Sequence, residues 1–229
     1  MISISSVMLS SVIALVVLPV FSSGSGSALA DRIKLPEPKH DGNVSIEKAL
    51  FDRRSIRAFG DEPLAIEDIS QLLWAAQGIT DPSGYRAAPS AGALYPLEAY
   101  LVAGKVTALP SGIYKYNPRG HELIRVMGGD KRMELCNAAL GQTSIKHAPA
   151  SLVLAAVYER TTKKYGDRGI RYAHMEAGHA AENVCLQGVS LGLGTVVIGA
   201  FYDDDVKKVM QLAGQEEPLY IIPFGRRSR

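Results

Sequence analysis

The sequence predicts a single α+β domain of three layers or fewer, on three observations. Segments with helical periodicity are interspersed with short strand-like segments, and no internal repeat or linker divides them. One continuous apolar run, Leu152–Val157, has the character of a central strand that is buried on both faces. The 229 residues are enough to bury one core of this kind. We therefore expect one domain with a single sheet at its centre.

The composition excludes several classes of protein. With 47% hydrophobic and 21% charged residues and a net charge of +2, the chain is too apolar to be disordered. Two cysteines are too few for a disulfide scaffold, and the long apolar runs of a polytopic membrane protein are missing from the sequence. Acidic residues interrupt the basic ones, so there is no continuous basic face and we expect no nucleic-acid partner.

The helices are predicted from apolar spacing and from capping residues. Ile66–Gln77 carries apolar residues three or four positions apart and is followed by Gly78, a typical helix end. A short helix is predicted from Ser45, as N-cap, to Asp52. Arg171–Leu191 is the longest helical segment. Two further helices are predicted with an aspartate as cap: Asp130–Leu140, and Asp203 to about Leu212.

The strands are predicted from short apolar or alternating runs. The segment Asn117-Pro118-Arg119-Gly120 is typical of a hairpin turn between two such runs. Residues 31–44 are rich in proline and charge and are predicted to form an extended arm, while Asp81–Gly92 is predicted to be a loop. The predicted strands, besides Leu152–Val157, are Glu98–Ala103, Ile113–Tyr116, Glu122–Val126, Thr195–Ile198 and Leu219–Phe224.

The first 30 residues resemble an export signal. They contain none of the 25 Lys and Arg or 23 Asp and Glu residues, and Val12–Phe21 is apolar but too short to span a bilayer. Ala28-Leu29-Ala30 has the small residues of a cleavage site before Asp31. Because no basic residue lies near Met1, the alternatives of an uncleaved anchor, a mis-assigned start and an incidental apolar tail stay open, and with them a membrane-anchored or cytoplasmic chain. We expect a periplasmic or extracellular protein if the signal is cleaved, and membrane attachment only if it is retained.

The two cysteines, Cys136 and Cys185, lie in predicted helices. Buried free thiols are favoured over a disulfide, which an oxidising compartment would permit. Neither cysteine has histidine neighbours, and His174 and His179 are not at the i, i+4 spacing of zinc hydrolases, so we predict no metal site.

Two other features could bind a ligand. Arg53, Arg54, Ser55 and Arg57 place three guanidinium groups and a hydroxyl within five positions, which suits a phosphate, although solvated surface arginines are the alternative. The loop Ala88–Pro96 combines small residues with two prolines, so its backbone could approach a flat ligand; an ordinary rigid connection is the alternative.

Small and polar residues mark the predicted long helix. Gly178, Gly188 and the following Gly192 would permit close approach of another helix, as in a dimer core. Glu176 and Asn183 belong to a polar stripe, which more often satisfies loops or a subunit partner than performs catalysis.

Six short motifs, spread from roughly Leu35 to Gly225, carry a family resemblance. In chain order they are Arg53–Phe59, Leu72–Gly78, Pro89–Pro96, Lys164–Gly169, Glu176–His179 and Ile198–Phe201.

In this order the motifs resemble the FMN-dependent nitroreductase superfamily, and within it the SagB-type branch. That branch includes the oxidases that turn azolines into thiazoles and oxazoles in modified peptides. The resemblance implies an α+β three-layer sandwich with a mostly antiparallel central sheet, formed here by residues 45–229. It also implies a homodimer with two FMN sites at the subunit interface.

The resemblance further implies which residues hold FMN. Cationic donors near the O2 edge of the ring would stabilise the anionic reduced flavin. The implied set is Arg53, Arg54, Ser55, Arg57 and Arg226 for the phosphate, the ribityl chain and the O2 edge; Pro89, Ser90, Ala91 and Gly92 from the other subunit; Gln142 at the ring; and Gly199 and Ala200 near N5.

For the reaction, the resemblance implies hydride transfer through flavin N5, to or from a small molecule or an azoline-like peptide, with NAD(P)H as a possible donor. Lys164 and Tyr165 match a pair that removes a substrate proton, a role that a lysine fills only in its neutral form. The alternative is a flavin-binding protein of the same fold without turnover. Glu182-Asn183 stands where family members commonly have Gln-Asn, and this difference favours that alternative, as does the leader. A third and weaker hypothesis is a hydrolase with a Ser/His/Asp triad that no sequence motif indicates.

Overall fold

A computed structural model describes residues 31–228, which form one seven-stranded sheet between two layers of helices. The strands lie in the order β1-β4-β3-β2-β5-β7-β6, and every neighbouring pair is antiparallel. This arrangement confirms the predicted α+β three-layer sandwich with an antiparallel sheet. The strands are β1 (Arg32–Lys34), β2 (Leu97–Ala103), β3 (Gly112–Asn117), β4 (Glu122–Gly128), β5 (Ala150–Ala156), β6 (Leu193–Thr195) and β7 (Glu217–Arg226).

The helices are divided between the two faces of the sheet. Leu101 of β2 packs in the core under α2 and α6, whereas its neighbour Val102 packs in the core under α3, α4 and α7. Successive strand side chains point to opposite faces, so an apolar run such as β2 supplies both cores. The helices are α1 (Ile46–Asp52), α2 (Ile66–Gln77), α3 (Arg132–Ala138), α4 (Thr143–His147), α5 (Glu159–Tyr165), α6 (Arg168–Ser190) and α7 (Asp203–Met210).

Two predicted helix starts are confirmed and two capping assignments are wrong. The α2 helix has the predicted bounds, and Ser45 caps α1 by accepting the Lys48 amide at 3.2 Å. Asp203 is the first helical residue of α7 and not its cap. Asp130 does not cap α3 either, because α3 begins two residues later, at Arg132. An acidic residue is favourable anywhere in the first turn, because of the helix dipole. Aspartate therefore indicates a helix start without fixing the residue.

The predicted strand Thr195–Ile198 is displaced. The strand that forms, β6, ends at Thr195, and Ile198 makes only an isolated bridge to Ile221. Val196 and Ile198 are buried in the core under α3, α4 and α7. A buried position favours an apolar side chain whether or not its backbone pairs with a neighbouring strand.

Three short elements have no signal in the sequence. β1 lies in the predicted arm and pairs with β4 at the sheet edge, where Arg32 and Lys34 remain partly in solvent. α4 and α5 have five and seven residues, too few for apolar periodicity to be read. Tertiary packing rather than local pattern stabilises helices this short.

Both cysteines are buried free thiols, as predicted. Cys136 belongs to the core under α3, α4 and α7, whereas Cys185 lies on α6 on the opposite face of the sheet.

The leader, residues 1–30, lies outside the described residues. Between residues 31 and 228 no helix is both long and apolar enough to cross a membrane.

Candidate functional site

The arginine-rich segment runs alongside β6, directly after α1. The Ile56 amide donates to the Thr195 carbonyl at 2.8 Å, and Ser55 bridges to the same residue. The Ile56 side chain covers Gly194, where an added Cβ would lie 2.6 Å from Ile56 Cγ2. A glycine is therefore needed in β6 for the segment to lie this close to the sheet.

The three guanidinium groups of this segment keep most of their donors free. Arg53 Nε lies 3.7 Å from Glu182 Oε1, a long contact between partly exposed groups. Arg54 Nη1 donates to the Phe51 and Arg53 carbonyls at 3.0 and 2.7 Å. Arg57 is exposed and has no hydrogen bond or ion pair with any residue that the structure describes. Unused guanidinium donors on an exposed segment are what an anionic ligand requires.

Arg226, at the end of β7, lies at the same end of the sheet. The register pairs it with Leu193 of β6, and its carbonyl accepts from Gly60, three residues after Arg57. Its Nη1 donates to the Leu191 carbonyl at 2.6 Å and its Nη2 bonds Asp68 of α2 at 2.8 Å. Arg226 thus links α2 to the end of α6 by hydrogen bonds, and the remaining N–H groups of its guanidinium are available to a ligand.

The Pro89–Gly92 loop and the predicted proton-transfer pair are in contact. A Cβ on Gly92 would lie 2.6 Å from Tyr165 Oη and 2.9 Å from Lys164 Nζ. Gly92 also has φ of 63°, in the left-handed region that favours glycine. Lys164 Nζ is 5.3 Å from the centre of the Tyr165 ring. The structure therefore brings together Gly92, Lys164 and Tyr165, which the sequence places more than 70 residues apart.

A buried carboxyl group lies beneath this loop. Glu176 of α6 is 2% exposed, and neither of its oxygens has a hydrogen-bond partner among the described residues. Burial raises the pKa of Glu176 to about 7, although the nearby Ser90 hydroxyl and the Arg86 and Arg160 guanidinium groups favour the charged form. The sequence marks Glu176 as part of a polar stripe and of the Glu176–His179 motif, and neither predicts this degree of burial.

Gln142 connects the predicted ring-binding residues. Its Nε2 donates to the Ala200 carbonyl at 2.8 Å and to the Ala139 carbonyl at 3.2 Å. Gly199 lines a cavity of about 300 Å³ together with His174 and Tyr220. The Gln142 side chain thus holds the Gly199–Ala200 backbone at the edge of a cavity.

The predicted residues form separate groups in one chain. Among residues 31–228, no hydrogen bond or ion pair joins the Arg53–Arg57 segment to the Pro89–Gly92 loop. Both approach α6, one at Glu182 and the other at Glu176. These glutamates are six residues apart and so point about 120° from one another around the helix. Among the described residues, the two groups are therefore not bonded to each other and approach α6 from different sides.

Comparisons with known proteins agree with this geometry. The model of the Nitroreductase family matches residues 50–226. A Methanocaldococcus jannaschii protein that is named as a nitroreductase is 45% identical over 195 residues, covering 85% of this chain and 96% of that protein. A solved structure of a protein from Ralstonia eutropha, described as a nitroreductase, has a TM-score of 0.77 at 31% identity, and the match covers 86% of this chain and 90% of the other.

Two further relatives are longer proteins. The microcin B17-processing protein McbC of Escherichia coli is 30% identical over 70% of this chain. A Bacillus subtilis protein named FMN reductase (NAD(P)H) is 26% identical over 77% of this chain. In each case the match spans 61% of the relative, which is less than two thirds of its length. Since the family model covers nearly all of the described sheet and helices, this chain belongs to the Nitroreductase family of oxidoreductases, and its relatives include a microcin-processing protein.

Proposed function

We propose that this chain is an FMN-dependent oxidoreductase that acts on a small molecule or an azoline-like peptide. When bound, FMN would supply hydride transfer at its N5 atom. The observation that carries the proposal is the exposed Arg53–Arg57 segment, whose three guanidinium groups retain free donors beside the end of β6. The name of the Bacillus subtilis relative supports FMN as the cofactor.

The donor set fits an anionic flavin. Arg53, Arg54, Ser55 and Arg57 would bind the phosphate and the ribityl chain and would stabilise negative charge at the O2 edge of the ring. Arg226 would complete this set with the donors that its bonds to Asp68 and Leu191 leave free.

The ring edge would be held by backbone rather than by charge. Gln142, fixed to the Ala200 carbonyl, would keep Gly199 and Ala200 in place near N5. The cavity beside Gly199, of about 300 Å³, offers room for a small substrate.

We propose a homodimer, because the Arg53–Arg57 segment and the Pro89–Gly92 loop approach different faces of α6 and are not bonded to each other among the described residues. Pro89, Ser90, Ala91 and Gly92 would reach the flavin of the partner subunit. The α1 helix packs on α6 and carries three exposed apolar side chains: Ile46 (56% exposed), Leu50 (55%) and Phe51 (73%). Apolar side chains that adjoin in this way are typical of a subunit contact.

Lys164 and Tyr165 would handle the substrate proton. The neutral amine of Lys164 would accept it, and the Tyr165 hydroxyl would orient the acceptor, since both groups lie against Gly92 at the tip of the loop. A partner subunit whose loop reaches the flavin would then bring this pair to the reacting atoms.

We also propose that residues 1–30 are an export signal, which places the mature chain outside the cytoplasm. NAD(P)H is scarce there, so the donor or acceptor would be another small molecule or a peptide. McbC is named for the processing of microcin B17, and this name supports a peptide substrate as one of the two options.

Cofactor binding is tested by titrating the purified, flavin-free protein with FMN and measuring the dissociation constant by flavin fluorescence. Arg54→Ala is expected to raise the constant roughly 10- to 100-fold, because a charge-assisted hydrogen bond contributes about 1.5–3 kcal/mol. The matched control is Arg119→Ala, an exposed arginine in the β3–β4 turn. Equal affinity of the two variants would remove Arg54 from the site, and a wild-type chain that fails to bind FMN would overturn the proposal.

Turnover is tested by adding NAD(P)H, without oxygen, to the yellow protein. Bleaching of the flavin band would assign nitroreductase-type turnover with a nicotinamide donor. An unbleached protein that oxidises an azoline-containing peptide would assign the peptide option, and in that case Lys164→Ala is expected to slow the oxidation. Binding of FMN with neither reaction would leave the flavin-binding alternative.

A further inference from the structure

The loop that carries Gly92 rests on a carboxyl group without a counter-ion in direct contact. Both oxygens of Glu176 are buried without a hydrogen-bond partner of normal geometry among the described residues, although the Ser90 hydroxyl is near enough to favour the charged form. A buried carboxylate without such bonds is strongly disfavoured against the neutral acid. The structure is therefore suited to a protonated Glu176.

The charged groups around Glu176 are engaged elsewhere. Arg86 Nη1 donates to Gln77 Oε1 at 2.6 Å, and its guanidinium lies 4.4 Å from the centre of the Tyr95 ring. Arg160 donates to the Tyr95 carbonyl at 3.0 Å and forms an ion pair with Glu98 of β2. Both arginines lower the pKa of Glu176 from a distance, but neither neutralises it by contact.

The loop packs against α6, and its Ser90 lies next to this carboxyl group. Ser90 Oγ accepts the Tyr95 amide at 2.9 Å, which closes the turn from Ser90 to Tyr95, and the Ser90 hydroxyl faces Glu176. The same turn sets Gly92 against Lys164 and Tyr165. A displacement of this turn would admit water to Glu176 and would separate Gly92 from that pair.

We propose that Glu176 is a proton-linked positioning residue: in its protonated form it holds the Pro89–Gly92 loop in the closed position, and its ionisation loosens the loop. The physical reason is linkage. Burial raises the pKa of Glu176 from 4.5 to about 7 against the opposing effect of the Ser90 hydroxyl, whereas a carboxyl hydrated by opening of the loop would return towards the lower value. The open form binds fewer protons between these two values, so opening becomes easier as the pH rises through this range. Arg86 from the loop and Arg160 from α5 are the other charged groups that act on Glu176, and Tyr95 and Glu98 of β2 lie beside those two arginines.

The consequence for catalysis rests on the proposed function, but the movement of the loop does not. If the loop contributes to FMN binding, the affinity for FMN falls as the pH rises from about 5.5 to about 8.5. The loop opens by the same linkage whether or not the chain binds a flavin.

The test is hydrogen exchange of the amides of residues 87–95 in the purified protein, followed by mass spectrometry and corrected for the pH dependence of the chemical exchange rate. Between about pH 5.5 and 8.5 we expect the opening equilibrium to increase roughly 30-fold for a carboxyl whose pKa rises from 4.5 to about 7. Glu176→Gln cannot ionise and is expected to abolish this increase. Glu159→Gln, an exposed glutamate in the first turn of α5, is the control and is expected to retain it.

A second measurement does not depend on how the variant folds. Infrared spectra of the wild-type protein are expected to contain the carbonyl stretch of a protonated carboxylic acid at about pH 6 that disappears by about pH 8.5. A corrected exchange rate that does not change with pH, or the absence of this band at pH 6, would overturn the proposal. If the protein binds no FMN but its loop amides still exchange in a pH-dependent way, the proposal on Glu176 stands and only the proposed function is refuted.

Discussion

Two glutamates of α6 show how far a residue's role depends on its surroundings. Glu176 is 2% exposed and burial raises its pKa to about 7, whereas the Glu182 side chain is 49% exposed and lies 3.7 Å from Arg53. They are six positions apart on one helix, so they point to different neighbours. Glu182 places a negative charge beside an arginine that we assign to a phosphate, and its effect is therefore on ligand binding.

Glu182→Gln is expected to strengthen FMN binding about two- to fivefold, because it removes a competing anion from Arg53. The gain is small, since an exposed ion pair contributes only about 0.2–1 kcal/mol. Fluorescence titration of FMN at low salt measures it, and the gain is expected to shrink at high salt. Glu134→Gln on α3, which pairs with Lys131, is the control for loss of one negative charge. Weaker binding by Glu182→Gln would indicate that Glu182 positions Arg53 instead of competing for it.

At the scale of elements, the corner between α5 and α6 determines where Lys164 and Tyr165 lie. Gly169, in the first turn of α6, is buried against the α5 backbone, and a Cβ there would lie 2.7 Å from the Thr161 carbonyl carbon and the Thr162 amide. Backbone atoms yield less readily than the end of a flexible side chain. The position of α5, and with it the contact between Tyr165 and Gly92, therefore depends on a glycine at this corner.

Gly169→Ala is expected to lower the free energy of unfolding by about 2 kcal/mol, because the added methyl group overpacks the corner. Urea denaturation measures this change. Gly178→Ala is the matched control on the same helix, where the added Cβ has no atom within 4 Å. The control is expected to raise the free energy of unfolding by about 0.5–1 kcal/mol through helix propensity. Equal effects in the two variants would contradict the packing argument.

At the scale of the whole molecule, the predicted site is distributed over a surface that one chain leaves open. The arginine segment and the Pro89–Gly92 loop approach α6 at different faces, and the apolar side chains of α1 lie beside the arginine segment in sequence. A second copy of the chain would cover α1 and could bring the loop of one protomer to the arginines of the other. Dimerisation would then be a condition for cofactor binding.

The double variant Leu50→Ser/Phe51→Ser is expected to weaken the dimer by at least tenfold, because burial of each large apolar side chain contributes about 1.5–3 kcal/mol. Sedimentation velocity over a concentration series measures the association, and FMN affinity is expected to fall with it. Met133→Ser on α3 removes an exposed apolar side chain from the opposite helix layer and is the control. A double variant that sediments as the wild-type protein does would exclude α1 from the interface.

The sequence predicted the long elements well and the short ones poorly. The α2 helix follows from its apolar spacing and Gly78, and β2 and β5 follow from apolar runs that match their burial. β1 and α5 were missed, because an edge strand and a two-turn helix bury too little to impose a pattern. α5 carries Lys164 and Tyr165, so part of the candidate site lies on an element that local sequence does not reveal.

By itself, the sequence determined the fold class through apolar periodicity and the family through short motifs in a fixed order. The residues that could hold an anionic cofactor are a prediction that the family resemblance implies. Only the tertiary structure decided which of those residues meet. It placed Gly92 against Tyr165, engaged Arg226 with Asp68 and enclosed Glu176 beneath a loop. The physical reason is that burial and long-range contact depend on every element that packs around a residue, whereas periodicity depends only on its neighbours along the chain.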